Sequence, residues 1–416
     1  MAFRAIVTIL VLSIAISAGN GAILQSLRDL VLKPFKPLTD LRNDSYLNFT
    51  ELSGQYGFAT EEHTVTTEDG YVLTVFRMKG KDCIVYKNSP VLVMHGLFQS
   101  GDSWLDAGQN AGLAYLIAEQ CHDLWVGNQR GNYYGRNHVR LDPDEDAEFW
   151  EYSIDEMGIY DIPAMVDYVL ENTGKEKLTY VGFSQSVGTA MIMCSERPGY
   201  CDKLNLLIAL GPAARITNLK SLPLKTIFES SNYLKEVLSL AGVNEVFARG
   251  EVVQGFVSLL CMYRTTSRAI CGTGIVNILD ASYPGSIDDE TLELIATHTP
   301  AGTSLQTLAR YGQSLQTDEF QKFDYGKIKN IAVYGSEQPP LYNLTAVTAP
   351  VVVMYGRDDQ VNVVEDVLWL VKKLPNVLEA AEVSEPRWNH LDMIYSQYIN
   401  ELIFPKINQY LTDYST

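Results

Sequence analysis

The sequence predicts an α/β chain: a doubly wound, mostly parallel sheet carrying a helical cap insertion. Three observations lead there. Five apolar runs of four to seven residues each end within two residues of a glycine. Amphipathic stretches of helical length separate them. The alternation then fails between residues 214 and 340.

The elements follow in order. Val65 to Arg77 alternates apolar and polar residues around Glu68-Asp69-Gly70, which predicts a hairpin turning at Asp-Gly. The runs Pro90–Met94, Asp123–Val126, Leu178–Val181, Leu204–Leu210 and Val351–Tyr355 are Val/Leu-rich. Strands apolar at nearly every position suit a parallel sheet covered on both faces. Helical periods occupy Ala111–Glu119, Asp155–Leu170, Val187–Cys194 and Val364–Leu374. In the second of these, Ile159, Ile162, Met165, Val166 and Val169 share one face. Strand and helix alternating at these lengths mean βαβ units. Residues 214–340 read as a helical cap over the sheet's C-terminal edge, with core segments 20–213 and 341–416 on either side.

Ahead of the core, Arg4, the apolar run Ala5–Ile16 and the small residues Ser17-Ala-Gly19 have the form of a secretory signal peptide over residues 1–19. The run is shorter than the ~20 residues a bilayer span needs, and no later segment qualifies. Secretion is the expected destination, with the lysosome as the alternative. Asn43, Asn48 and Asn343 open glycosylation triplets that would be used in that pathway. Of six cysteines, the close pairs Cys194/Cys201 and Cys261/Cys271 are candidates for disulfides.

Composition excludes several classes. With 416 residues, 46% hydrophobic and 20% charged, the chain is globular rather than disordered or fibrous. Its 32 basic and 50 acidic side chains give a net charge of −18, which repels phosphate backbones and argues against nucleic acid as a partner. Neither CxxC pairs nor HExxH occur, so no metal is expected.

The chemistry concentrates at Gly182-Phe-Ser184-Gln-Ser186. A strand, this turn and a helix are the setting of a nucleophile elbow, which lifts a serine hydroxyl to the sheet edge. Serine needs a base, and the base needs an acid. Only His298 and His390 follow Ser184, and His390 lies in a loop after the last strand signal, where a base would reach the sheet edge. Val351–Tyr355 leads into Gly356-Arg-Asp358-Asp359, and on chemistry alone either aspartate could be the acid. An oxyanion would take the Gln185 N–H and one N–H from the loop His95-Gly-Leu97-Phe.

With these residues in view, the sequence resembles the acid lipases, which include gastric and lysosomal acid lipases and many insect lipases. The resemblance runs through Thr67-Glu-Asp-Gly-Tyr71, His95-Gly-Leu97, Trp125-Val-Gly-Asn-Gln-Arg-Gly-Asn132 and Ser153-Ile-Asp-Glu-Met-Gly-Ile-Tyr-Asp161. It continues in Gly174-Lys-Glu-Lys-Leu178, Pro300-Ala-Gly-Thr-Ser304, Pro339-Pro-Leu-Tyr-Asn343 and Asn389-His-Leu-Asp392. It implies an α/β-hydrolase fold, Ser184 as nucleophile, His390 as general base, and Asp359 rather than Asp358 as the acid. It further implies oxyanion donors at Leu97 and Gln185, and a lid within about Leu240 to Cys271. The activity implied is hydrolysis of triacylglycerols or sterol esters at a lipid interface, by a monomer without cofactor.

The chain departs from the family's Gly-His-Ser-Gln-Gly elbow twice. Phe183 replaces the His, and Ser186 replaces the second Gly. A hydroxymethyl where helix meets strand is expected to overpack by ~1–3 kcal/mol unless its neighbours yield. Two alternatives follow from it: a shifted elbow with Ser186 as nucleophile, or a catalytically weakened lipid-binding or storage protein on a lipase scaffold.

Overall fold

The computed structural model describes residues 47–87, 89–248, 280 and 285–415. The signal-peptide segment, Asn43, Cys261, Cys271 and most of the expected lid lie outside the described residues.

Strands β1 (Ala59–Thr66), β2 (Val72–Lys79), β3 (Val91–Met94), β4 (Leu124–Gly127), β5 (Leu178–Phe183) and β6 (Leu204–Leu210) come first. The two-residue strands β7 (Glu245–Val246) and β8 (Thr303–Ser304) follow, then β9 (Val351–Tyr355) and β10 (Val377–Glu382). The main sheet has the order β1-β2-β4-β3-β5-β6-β9-β10. From β4 onward its neighbours are parallel. The hairpin β1–β2 adds an antiparallel edge. It turns where expected: Gly70 takes φ 101°, open to a residue without Cβ, and the Thr67 N–H donates to Tyr71 O at 2.8 Å.

The five glycine-terminated runs are the central strands because both of their faces are covered. Leu92 and Met94 enter one apolar cluster with Trp125, Tyr180 and Ile192. Val91 and Val93 enter the other, with Trp104, Ile208 and Trp388. Each fully buried side chain of this kind contributes roughly 1.5–3 kcal/mol. Strand β10 lacks an apolar run because it is an edge strand: of Val377–Glu382 only Ala381 is buried.

The helical stretch expected over Asp155–Leu170 is not one regular helix. Ser153 and Glu156 cap a short turn by mutual side-chain–backbone bonds. A wide π turn follows over Met157–Asp161, then a regular helix over Ile162–Thr173, closed by Gly174 in the left-handed region. The wide turn brings Gly158 onto the helix Gln185–Glu196, where an added Cβ would sit 2.5 Å from Ile192. It also leaves Asp161 fully buried, where its Oδ1 accepts from Arg130 Nε at 2.7 Å.

Two disulfides stand among the described residues. Cys194 bonds Cys201, as their spacing suggests. Cys83 bonds Cys121, a pair 38 residues apart that short spacing could not single out.

Between β6 and β9 the described chain contributes no strand to the main sheet. It forms helices Leu222–Leu240, Asp289–His298, Leu305–Ser314 and Lys327–Tyr334. The first and third pack tightly, with Phe228 and Tyr311 rings 5.2 Å apart. No helix among the described residues is long and apolar enough to cross a membrane.

Candidate active site

β5 ends and the helix Gln185–Glu196 begins on a single strained residue. Ser184 has φ 54° and ψ −115°, a conformation L-residues rarely adopt, of a kind that costs on the order of 1–3 kcal/mol. The elbow is tight on both sides. A Cβ at Gly182 would lie 3.1 Å from Val187 N and 2.9 Å from the Tyr180 ring.

Ser186 is fully buried there and its hydroxyl is hydrogen-bonded. Its hydroxyl donates to Met94 O at 2.6 Å, with Phe183 O at 3.0 Å as a second acceptor, and accepts from Phe183 N–H at 2.9 Å. The expected clash is thus replaced by a polar stitch between the end of β3 and the elbow. Ser186 Oγ faces these backbone groups, whereas His390 Nε2 lies 2.9 Å from Ser184 Oγ.

The remaining partners arrive from two later strand ends. Asp359 follows β9, and His390 follows β10, on the loop leading into the helix Asp392–Tyr395. His390 Nδ1 lies 2.9 Å from Asp359 Oδ2. The other carboxylate oxygen, Oδ1, accepts from the N–H groups of Val361 at 2.8 Å and Asn362 at 2.6 Å. Asp358 points elsewhere: its Oδ1 accepts from Gln360 Nε2. The two loops touch closely. A Cβ on Gly356 would lie 2.1 Å from Trp388 O, so only glycine fits where β9 ends. Phe183 covers one face of the imidazole, its ring 4.8 Å from that of His390.

Ser184, His390 and Asp359 are 7%, 5% and 2% exposed, so the chain of hydrogen bonds is shielded from bulk water. Burial works against a charged imidazole, but the Asp359 carboxylate outweighs it, and His390 is held more basic than an ordinary histidine. Hydroxyl, imidazole and carboxylate linked in this order can pass a proton from oxygen to nitrogen while the acid holds the ring.

The loop after β3, His95-Gly-Leu97-Phe, is held in shape by side-chain and backbone hydrogen bonds. His95 Nδ1–H donates to Gly96 O at 2.8 Å, while Nε2 accepts from Gln129 N at 3.2 Å and Asn132 Nδ2 at 3.0 Å. Burial pushes this imidazole down to about 4, so it is neutral. The Gly96 N–H is taken by Gln99 Oε1 at 2.8 Å. Phe98, at φ 64°, accepts through its carbonyl from Ala301 N at 2.7 Å, so the Pro300-Ala-Gly-Thr turn docks beside Leu97. Gln185 is fixed from its side chain: Nε2 donates to Gln129 Oε1 at 2.8 Å and Oε1 accepts from Tyr311 OH at 3.1 Å.

His298, the other histidine downstream of Ser184, is buried away from this cluster. It joins the insertion to the core through Asp106 Oδ1 at 2.7 Å and Leu47 O at 3.2 Å. Asn48 and Asn343 are both exposed. The Oδ1 of each accepts from the hydroxyl of its own triplet, Thr50 at 2.8 Å and Thr345 at 2.6 Å. Among the described residues no group of His, Cys, Asp and Glu could hold a metal ion.

Comparison with known proteins agrees with this architecture. Residues 49–108 match the family model described as a partial alpha/beta-hydrolase lipase region. Residues 89–397 match the one described as the alpha/beta hydrolase fold. The chain is 33% identical over 372 residues to Lipase 1 of Drosophila melanogaster, covering 89% of this chain and 81% of that protein. It is 32% identical over 354 residues to human gastric triacylglycerol lipase, covering 84% of this chain and 87% of that one. A solved structure of a soluble variant of monoglyceride lipase from Saccharomyces cerevisiae superposes with a TM-score of 0.51 at 14% identity. That pair covers 86% of this chain and 97% of the other, and supports the fold alone. On the family-model matches and the identity to named lipases over most of its length, this chain belongs to the α/β-hydrolase family and, within it, to the acid lipases, which are carboxylic ester hydrolases.

Proposed function

We propose that the chain is a serine-dependent lipase of the secretory pathway, cleaving long-chain acylglycerols or sterol esters through an acyl-enzyme. The observation that carries this reading is the unbroken path Ser184 Oγ–His390–Asp359, with both contacts at 2.9 Å. Ser184 attacks the ester carbonyl while His390 Nε2 takes its proton. Asp359 keeps the proton on Nδ1 and steadies the imidazolium. The N–H groups of Leu97 and Gln185 receive the oxyanion, each worth ~3 kcal/mol. His390 returns its proton to the departing alcohol, and water repeats the cycle on the acyl-enzyme.

Residues 214–340 act as the cap, whose apolar helices cover the acyl chain. The exposed Asn48 and Asn343 are available as glycan acceptors, and the two disulfides suit an oxidising compartment, secretion or the lysosome. The weakened-carrier alternative loses its main support once the Ser186 hydroxyl is bonded rather than crowded.

The test is a fluorophosphonate probe combined with turnover of p-nitrophenyl esters and emulsified triolein. Wild type should be labelled at Ser184 and should hydrolyse long acyl chains; folded Ser184→Ala should do neither. Full esterase activity in Ser184→Ala would refute the mechanism. Activity that collapses with acyl length, with triolein untouched, would replace the lipase reading by a small-ester esterase.

A further inference from the structure

Asp280 is a buried acid that the reaction above does not use. It comes from the insertion between β6 and β9 and is 1% exposed. Its Oδ1 accepts from the Gln360 N–H at 3.0 Å, and its Oδ2 accepts from the Leu391 N–H at 3.0 Å. Gln360 is the residue after Asp359, and Leu391 is the residue after His390. One side chain therefore spans the two loops whose relative position sets the contact between acid and base. The Gln360 carbonyl in turn accepts from the N–H groups of Lys220 at 2.9 Å and Ser221 at 3.0 Å, where the helix Leu222–Leu240 begins.

We propose that Asp280 is a positioning residue that clamps the Asp359 loop to the His390 loop, so that the insertion helps set the alignment of the catalytic residues. This rests on the roles given above to Ser184, Asp359 and His390.

The choice of an anion is costly, and the cost points to a purpose. Burial first, then the neighbouring Asp359, pushes the Asp280 carboxyl up to about 7, against the downward pull of His390 and of the Gln360 and Leu391 N–H groups. Among the described residues Asp359 and His390 are the charged groups that act on it. Ionised, Asp280 accepts both N–H groups in full strength and adds negative potential at the imidazole, raising the basicity of His390. Protonated, it keeps one good acceptor and loses that field. A neutral amide could satisfy one N–H at most, because its NH₂ would face the other.

The experiment uses the full chain, with active sites counted by fluorophosphonate, and measures kcat and KM for p-nitrophenyl butyrate from pH 4 to 9. Asp280→Asn should lower kcat by about 10–100-fold, the scale of a small misalignment, with KM within about twofold. Its acid limb should move to lower pH, because His390 loses a negative neighbour. Asp280→Glu keeps the charge but not the reach, so its acid limb should stay near wild type while kcat falls. Wild-type kcat and acid limb in folded Asp280→Asn would overturn the proposal. So would a lowered kcat with an unmoved limb, the mark of ordinary packing. If Asp280→Asn fails to fold, Asp280→Ser, which also removes the charge, decides on the same two readouts: a lowered kcat with the limb moved to lower pH supports the clamp, and a wild-type kcat or an unmoved limb rejects it. A wild-type protein that the probe does not label fails at the earlier step, taking down the serine mechanism and the clamp with it.

Discussion

Removing the Ser186 hydroxyl tests whether it braces the elbow or merely occupies it. In Ser186→Ala the Phe183 N–H, bonded to Oγ at 2.9 Å, loses its partner inside a site that is 0% exposed. An orphaned buried donor costs about 1–3 kcal/mol, and the lost donation to Met94 O adds about 1. The sum is about 2–4 kcal/mol. At roughly 2.1 cal/mol/K per residue, the unfolding entropy of a chain this size is about 0.9 kcal/mol/K, so Tm should fall by about 2–5 °C in scanning calorimetry. Ser186→Gly should fall at least as far, because glycine within a helix costs roughly a further 0.5–1 kcal/mol. Fluorophosphonate labelling of Ser184 should slow in both, since the stitch also holds the strained φ of 54°. A Tm within about a degree of wild type, or above it, would mean that Ser186 is tolerated rather than used.

Other outcomes follow from the same geometry. Asp359→Asn should cut kcat by about 10⁴-fold while the chain stays folded, as steady-state kinetics and circular dichroism would report; a loss under tenfold contradicts its role as the acid. Burial, then the neighbouring Asp155, pushes Glu156 up to about 7 from an unfolded value near 4.5. A raised acid contributes stability that is complete below pH 4.5 and lost as pH climbs through about 7. Glu156→Gln should therefore gain on wild type as pH goes from 5 to 8, read as a Tm difference that grows with pH; a constant difference would refute it. The Cys83–Cys121 bridge closes 38 residues, so the double Cys→Ser variant should lose about 3–4 kcal/mol in denaturant unfolding, and more than the variant lacking Cys194–Cys201, which closes 7.

The fold was legible wherever burial was two-sided. β6 and β9 match their apolar runs residue for residue because every neighbour of those strands is covered. β10 was not legible, since an edge strand reading Val-Leu-Glu-Ala-Ala-Glu, with one buried side chain, looks like a loop. The π turn at Met157 was hidden by a periodicity that a widened turn barely disturbs. In the site, Ser184 and His390 could be placed from strand context, but Asp359 and Asp358 are adjacent and chemistry alone leaves both open; the resemblance selects Asp359, and in the fold it faces the imidazole while Asp358 faces a neighbouring amide. Asp280 had no local signal, because its meaning lies in two N–H groups 80 and 111 residues away. The bonds of the Ser186 hydroxyl had no sequence signal, since a volume argument does not see the three backbone polar atoms within its reach.

The short stretch from His298 to Ser304 has a consequence for anyone exchanging specificity between relatives. His298 is tied to Asp106 and Leu47, Ala301 to Phe98 and Tyr133, and Ser304 Oγ donates to Tyr152 O at 2.6 Å. A chimaera cut at the borders of the whole insertion would carry off these moorings and loosen the loop beside Leu97 even with every triad residue intact. Donor segments are better spliced inside residues 222–297, leaving the host's own anchor line in place.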